Sequence, residues 1–164
     1  MLEIGGGVGA LEVELLRRGA DRAVNVELSP AYEAFARDLL AESGLAERVE
    51  RRVGDLVEEP GLVGAADVVV MHRVVCCYPD MPALVGAAAD KARKALALTY
   101  PRDSWWTRLG AGAVNVFMRL TRNEYRSFIH PPEGIRTTAS AHGLQQTLER
   151  PGVLWQLAAF ERTS

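Results

Sequence analysis

The stretch Glu3-Ile4-Gly5-Gly6-Gly7-Val8-Gly9 sets the reading of the whole chain. An apolar run ends at Ile4, and four glycines follow within five residues. The helical pattern of Ala10, Leu11, Val13, Leu15 and Leu16 then begins. Glycine permits a sharp turn and lets a ligand approach the backbone closely, so a strand, a tight loop and a helix are expected in that order. Gly19 is the expected stop of this helix.

Outward from the loop the same alternation continues. Strands are predicted at 22–28, 49–53, 67–71 and 95–100, with helices at 31–43 and 82–93 between them. Ser29-Pro30 supplies a cap and a first-turn proline for the helix at 31–43, which Gly44 ends. Val68-Val69-Val70 is an unbroken apolar run of the kind buried on both faces of a sheet. Residues 56–65 read as a loop or short helix, and 72–80 as irregular. After Pro101 a helix is predicted at 104–121, another from Pro131-Pro132 to His142, and a terminal hairpin at 145–150 and 155–161 around Pro151-Gly152. Strands alternating with helices up to residue 100 predict an α/β fold. Its architecture is a three-layer sandwich with a mostly parallel sheet, right-handed crossovers and antiparallel edge strands from the hairpin.

Composition bounds the function. The chain has 164 residues, 19 Lys+Arg, 21 Asp+Glu and a hydrophobic fraction of 48%, values of one ordinary globular domain. A net charge of −2 gives no general attraction for a polyanion, so nucleic acid is not an expected partner. Cys76 and Cys77 are adjacent and have no other cysteine to pair with, which excludes a disulfide scaffold and fits a reducing, cytoplasmic setting. Adjacent cysteines are also poorly placed to bridge each other. His72, His130 and His142 have no paired spacing, so no metal site is expected. No apolar run approaches the roughly 18 residues of a membrane span, and no signal peptide is visible. A functional loop so close to residue 1 leads us to expect that an upstream part is missing.

In an open α/β sheet the ligand crevice lies beyond the carboxyl ends of the strands. The glycine loop falls there, with Glu27 and Leu28 ending the second strand, Asp55 and Leu56 after the third, and His72 after the fourth. Glu27 stands 18 residues past Gly9, near the roughly 20 expected of an acid that accepts ribose hydroxyls. Glu3, beside the glycine turn, would repel a pyrophosphate and suits a cation instead. Asp55 is also placed to cap the turn beginning at Leu56.

These residues together resemble the class I S-adenosylmethionine-dependent methyltransferases. The resemblance spans essentially the whole chain and implies a seven-stranded sheet of order 3-2-1-4-5-7-6. It implies S-adenosyl-L-methionine as cofactor, held by Glu3, Gly5, Gly6, Gly7, Gly9, Glu27, Leu28, Asp55, Leu56 and His72. The segment His72-Arg73-Val74-Val75-Cys76-Cys77-Tyr78-Pro79-Asp80 looks like small-molecule O-methyltransferases of the magnesium-protoporphyrin type. The family normally has helices before the first strand. Residues 1–164 would then be a methyltransferase core domain without those N-terminal helices. The Asn/Asp-Pro-Pro-Tyr motif of amino-adenine DNA methylation is absent after the fourth strand.

The expected reaction is in-line methyl transfer to a small-molecule acceptor, O-directed, which needs positioning and water exclusion more than covalent catalysis. His72 is the candidate base, with cofactor contact or loop hydrogen bonding as the alternatives. Tyr78 either orients the acceptor or packs under its loop. Cys76 and Cys77 are read as buried small hydrophobes. His130 faces the cleft or caps its turn, and His142 is structural. Trp106, Leu109, Ala113, Phe117 and Leu120 form an apolar stripe on the helix 104–121, read first as core packing. The other reading is a lid over a bulky apolar acceptor or a peripheral membrane contact, with Arg102, Arg108, Arg119 and Arg122 beside it and self-association as a consequence. Two other functions fit parts of the pattern. Gly5-x-Gly7-x-x-Ala10 satisfies a relaxed dinucleotide fingerprint of a nicotinamide-dependent oxidoreductase, and a non-catalytic binding protein could keep the fold.

Overall fold

The computed structural model describes residues 1–163. Strand β1 (Leu2–Ile4) leads through the glycine loop into α1 (Ala10–Arg17), and β2 (Ala23–Glu27) leads through a short 3-10 turn into α2 (Glu33–Ser43). Then come β3 (Val49–Val53), β4 (Ala66–His72), α3 (Met81–Lys91) and β5 (Ala92–Pro101). Helices α4 (Trp105–Leu120) and α5 (Pro132–Ala141) precede the hairpin β6 (Leu144–Arg150) and β7 (Trp155–Arg162). The seven strands form one sheet of order β3-β2-β1-β4-β5-β7-β6, with β7 antiparallel to both neighbours and the other pairs parallel.

Local signals set the boundaries. The Ser29 hydroxyl accepts from Ala31 N, and Pro30 opens a 3-10 turn before α2, so α2 itself starts at Glu33. Asp80 caps α3, its carboxylate accepting from Ala83 N at 3.0 Å. That helix stops two residues earlier than its alanine pattern suggests. The Arg162 guanidinium gathers the carbonyls of Ala89 and Ala92 (2.7 and 2.8 Å), and the chain enters β5 at Ala92.

Period-2 alternation decides which side chains enter the core. On one face Leu2, Ile4, Val69, Met71, Leu96, Leu98 and Phe160 are buried with Leu84, Val85 and Ala88 of α3 and Ile135 of α5. On the other, Val13, Leu16, Ala23, Leu40 and Leu45 pack under α1 and α2. The expectation that β4 is buried on both faces is corrected here: Val69 and Met71 are fully buried, but Val68 is 37% exposed and Val70 half-buried. Val68 and Val70 instead line an open apolar depression with Leu11, Leu15, Ala97 and Leu157, because α1 covers this face only in part.

Helix α4 departs further from expectation. Ser104 and Thr107 form a capping box that fixes its start. Most of the apolar stripe read as core packing lies outward, with Leu109, Ala113, Phe117 and Leu120 exposed and only Trp106 half-buried. Thr107, Ala111, Asn115 and Met118 face the body instead. Periodicity identifies the helix but does not say which face meets the protein. Leu98→Ala on β5 should therefore lower the unfolding free energy by about 2–5 kcal/mol in urea titration. Leu120→Ala should change it by less than about 0.5 kcal/mol, because no packing is lost.

Candidate functional site

At the carboxyl end of β1 the backbone reverses through Gly5, whose φ of +67° favours glycine. A Cβ on Gly5 would lie 2.3 Å from Val74 Cγ2, so the loop after β4 packs directly over it. A Cβ on Gly6 would lie 2.2 Å from the Asn25 side-chain nitrogen. Gly7, with no atom within 4 Å of a notional Cβ, faces open space.

The peptide of Gly7 is held from both sides. Its N–H donates to Glu27 Oε2 at 2.8 Å, and its carbonyl accepts from the Arg51 guanidinium at 2.8 Å. The other Glu27 oxygen accepts from Ser29 N at 2.9 Å. Glu27 thus stands at the end of β2 with one backbone donor on each oxygen. Arg51 reaches over from β3 and also pairs with Glu33 at 2.8 Å and Glu12 at 3.6 Å. Asn25 donates to Glu12 at 2.8 Å beneath the loop.

Glu3 completes this buried cluster. It is 1% exposed, and one of its carboxylate oxygens has no partner. Burial, reinforced by the nearby Glu12 carboxylate, pushes its pKa up to about 8. Burial also raises Glu12, against the lowering effect of the Asn25 hydrogen bond and Arg51.

A cavity of about 470 Å³ opens above the loop, lined by Gly5, Gly7, Glu27, Leu28, Asp55, Leu56 and Tyr78 among others. That volume falls in the range of small-molecule sites. Asp55 Oδ1 accepts from Val57 N at 2.8 Å, closing the turn after β3, and Oδ2 accepts from the Tyr78 hydroxyl at 3.0 Å. Burial and this carboxylate push the Tyr78 phenol up to about 12, so it stays protonated and serves as the hydrogen-bond donor to Asp55. His130 bonds the Tyr78 carbonyl at 3.0 Å and stacks on Phe128, which orders the same loop. His142 pairs with Asp90 at 2.7 Å, far from the loop in the fold, joining α5 to α3.

Seven of the expected site residues therefore share one cavity. Glu3, Gly6 and Gly9 lie in the loop and beneath it, outside the lining. His72 is also outside it. As the last residue of β4 it follows the strand's alternation to the opposite face, lines the apolar depression and bonds Thr99 Oγ1 at 3.0 Å. Burial and the adjacent Arg73 lower its pKa.

The structure adds Tyr32, Arg73, Cys77 and Tyr125 to the cavity wall, and Arg51 and Asn25 behind it. Asn25 and Arg51 could have been noticed as polar residues on strand positions facing α1 and α2. Tyr125 lies far along the chain from the glycine loop, 48 residues past the Cys77 it touches, and carries no local signal. The cysteine reading is also corrected. Cys76 is buried but Cys77 is exposed, and a 3-10 turn over 75–77 brings their sulfurs to 3.6 Å. Hydrogen bonds from Cys76 and Tyr125 hold the Cys77 thiol low, while donating to Cys77 raises Cys76. No group of three or more His, Cys, Asp or Glu among the described residues is arranged to hold a metal ion.

Known proteins match this architecture. The sequence profile of the methyltransferase domain family matches residues 1–96. Magnesium protoporphyrin IX methyltransferase from Synechocystis PCC 6803, solved with bound SAH, superposes with a TM-score of 0.79 at 20% identity, over 99% of this chain and 73% of that one. An O-methyltransferase family protein from Burkholderia thailandensis gives 0.83 at 23% identity, over 99% of this chain. This chain spans 50% of that protein. Geranyl diphosphate C-methyltransferase from Streptomyces coelicolor A3(2) gives 0.75 at 16% identity, over 99% and 70%. At these identities the likeness is one of fold. No curated protein matches the sequence.

Two measurements follow from the buried groups. Native Glu3 keeps its proton to about pH 8, whereas the unfolded chain loses it near 4.5, so the native state binds more protons between these values. Stability should fall as pH rises through that window, by at most about 1.4 kcal/mol per pH unit from this group, and Glu3→Gln should flatten the slope in urea titrations. Iodoacetamide at pH 7 should alkylate Cys77 well before Cys76, as read by peptide mass spectrometry.

The 58% or so of the sequence matched by the profile (residues 1–96 of 164) joins with the strand order and the glycine loop to one conclusion: the chain belongs to the methyltransferase domain family, the class I S-adenosylmethionine-dependent methyltransferases.

Proposed function

We propose that residues 1–164 act as a methyltransferase core domain that methylates an oxygen of a small-molecule acceptor. The observation that carries the cofactor site is the Glu27 carboxylate. Gly7 N–H takes a lone pair of Oε2 and Ser29 N–H one of Oε1, and Glu27 lines the cavity with acceptor capacity left for two ribose hydroxyls. Tyr78 fixes Asp55, and with the Leu56 backbone this forms the adenine end. The Glu27 and Glu33 carboxylates stand beside the loop against the single Arg51, and Glu3, protonated beneath it, can ionise under a cationic ligand but not under a pyrophosphate. This supports S-adenosylmethionine over a nicotinamide dinucleotide. The glycines Gly5, Gly6, Gly7 and Gly9 let the ligand approach the backbone, and Glu3 sets the acidity beneath it.

S-adenosylmethionine supplies an electrophilic sulfonium methyl. The chain's residues have to hold the acceptor in line and keep water away. His72 ends β4 on the sheet face opposite the cofactor cavity, so it serves as a base only for an acceptor hydroxyl that reaches over the strand end to it. Tyr78 acts by positioning Asp55. The likeness of residues 72–80 to O-methyltransferases supports oxygen as the acceptor atom, and the Burkholderia thailandensis fold relative carries that family name. The two free thiols suit the reducing cytoplasm.

Isothermal titration with S-adenosylhomocysteine should give saturable binding, and NAD should bind more weakly. Glu27→Ala should weaken S-adenosylhomocysteine by at least about tenfold, since two hydroxyls lose a charged acceptor. A tighter dissociation constant for NAD would overturn the assignment. With an acceptor in hand, His72→Gln should lower kcat while leaving S-adenosylhomocysteine affinity within about twofold.

A further inference from the structure

Helix α4 is amphipathic with its apolar face turned away from the protein. Trp105, Leu109, Val116 and Leu120 lie on one outward face at helical spacing, and Trp105 and Leu120 are 78% and 79% exposed. Phe117 beside them is exposed as well. The inward face is the more polar one: Asn115 exchanges two hydrogen bonds with the backbone of Ser127, at 2.8 and 2.7 Å. The patch continues past the helix. Arg102 N donates to Leu154 O at 2.9 Å, which ties the turn between β6 and β7 to the start of α4 and brings exposed Val153 and Leu154 to it.

The charge around this face is distinct from the rest of the chain. Residues 102–126 carry five arginines and two carboxylates, in a chain with 19 basic and 21 acidic side chains. Arg108 pairs with Asp103. Arg119, next to Leu120 on the helix, and Arg122, two residues past its end, have no carboxylate partner among the described residues.

We propose that α4 lies in the headgroup region of an anionic lipid bilayer, with Trp105, Leu109, Val116, Phe117 and Leu120 immersed and Arg119 and Arg122 at the phosphates. An outward Trp/Phe/Leu face rimmed by arginine is the composition of an interfacial helix. Anionic surfaces attract such basic segments, and the attraction falls with salt. The helix has 16 residues, and no described helix is long and apolar enough to cross a membrane, so it lies on the surface. A second copy is the less favourable occupant. A two-fold contact on this face would bring the arginine rims of both copies together.

The docked helix bears on the site. The segment after α4 returns through Tyr125, which lines the cofactor cavity and reaches Cys77 Sγ at 3.4 Å, and Phe128 N bonds the Cys76 carbonyl at 2.7 Å. Lipid docking would set the cavity mouth at the bilayer surface, where an amphipathic acceptor partitions. This consequence rests on the methyltransferase reading; the docking itself does not.

The test is co-sedimentation of the chain with phosphatidylcholine vesicles, with and without phosphatidylserine, alongside S-adenosylhomocysteine titration of the same preparation. The expected result is binding to phosphatidylserine vesicles at least about tenfold tighter than to phosphatidylcholine, weakened by salt. A blue shift of tryptophan emission should accompany it. Arg119→Glu/Arg122→Glu and, separately, Leu109→Ser/Leu120→Ser should each lose it by about tenfold or more, with unchanged urea midpoints and unchanged S-adenosylhomocysteine affinity. The proposal is overturned if the wild-type chain stays in the supernatant, or if both variants sediment as it does. It is equally overturned if sedimentation equilibrium shows a dimer that Leu109→Ser/Leu120→Ser abolishes while vesicles are ignored. Loss of S-adenosylhomocysteine binding with vesicle binding intact would count against the cofactor site alone.

Discussion

The peptide of Gly7 is the point on which the site depends. Glu27 takes its N–H and Arg51 takes its carbonyl, so one peptide couples β2, β3 and the loop after β1. The geometry works only because the three strands are parallel and adjacent, with Val26 beside Ile4 and Arg52 beside Val26. Arg51 is nearly buried and would be costly without partners. Glu12 and Glu33 supply them, and Asn25 donates to one Glu12 oxygen while the other is left without a hydrogen bond. The arrangement holds a glycine loop rigid while leaving its outer side open to a ligand. Pre-organisation of this kind is what a binding loop requires, since ordering it on binding would subtract from affinity.

The same cluster explains the tolerance of an unpaired carboxylate in the core. Glu3 carries an oxygen with no hydrogen-bond partner, and burial keeps it protonated toward pH 8. Such a group is normally excluded from an interior. Here it sits directly beneath a loop that the proposed ligand approaches with positive charge, so the strain belongs to the functional end of the sheet and not to its hydrophobic middle.

Much of this was legible in the residues. The glycine loop, the strand-helix alternation, Glu27 and Asp55 all carry short-range signals, and each sits where those signals place it. Gly19 and Gly44, the Ser29-Pro30 pair and Ser104 set helix ends by local chemistry alone. What was not legible depends on tertiary contacts. The spacing of Leu109, Phe117 and Leu120 defines a helix face but not its direction, and that direction is decided by Asn115 meeting Ser127. Val68 and Val70 have the composition of a buried strand, yet burial requires a covering element that this part of the sheet does not have among the described residues. His72 lies one residue before the chain turns into the cavity, and a shift of one position in a strand reverses the face. Tyr125 and Cys77 meet across 48 residues, a distance no local pattern spans.

We propose that the Glu27 carboxylate, clamped by the backbone of Gly7 and Ser29, seats the ribose of S-adenosylmethionine. A crystal structure of the chain with S-adenosylhomocysteine tests it most directly. Both ribose hydroxyls are expected within hydrogen-bond distance of Glu27 and the adenine against Asp55, Leu56 and Tyr78, with the Gly7 peptide unmoved. A ribose seated away from Glu27, or a loop that must rearrange to admit the ligand, would contradict it.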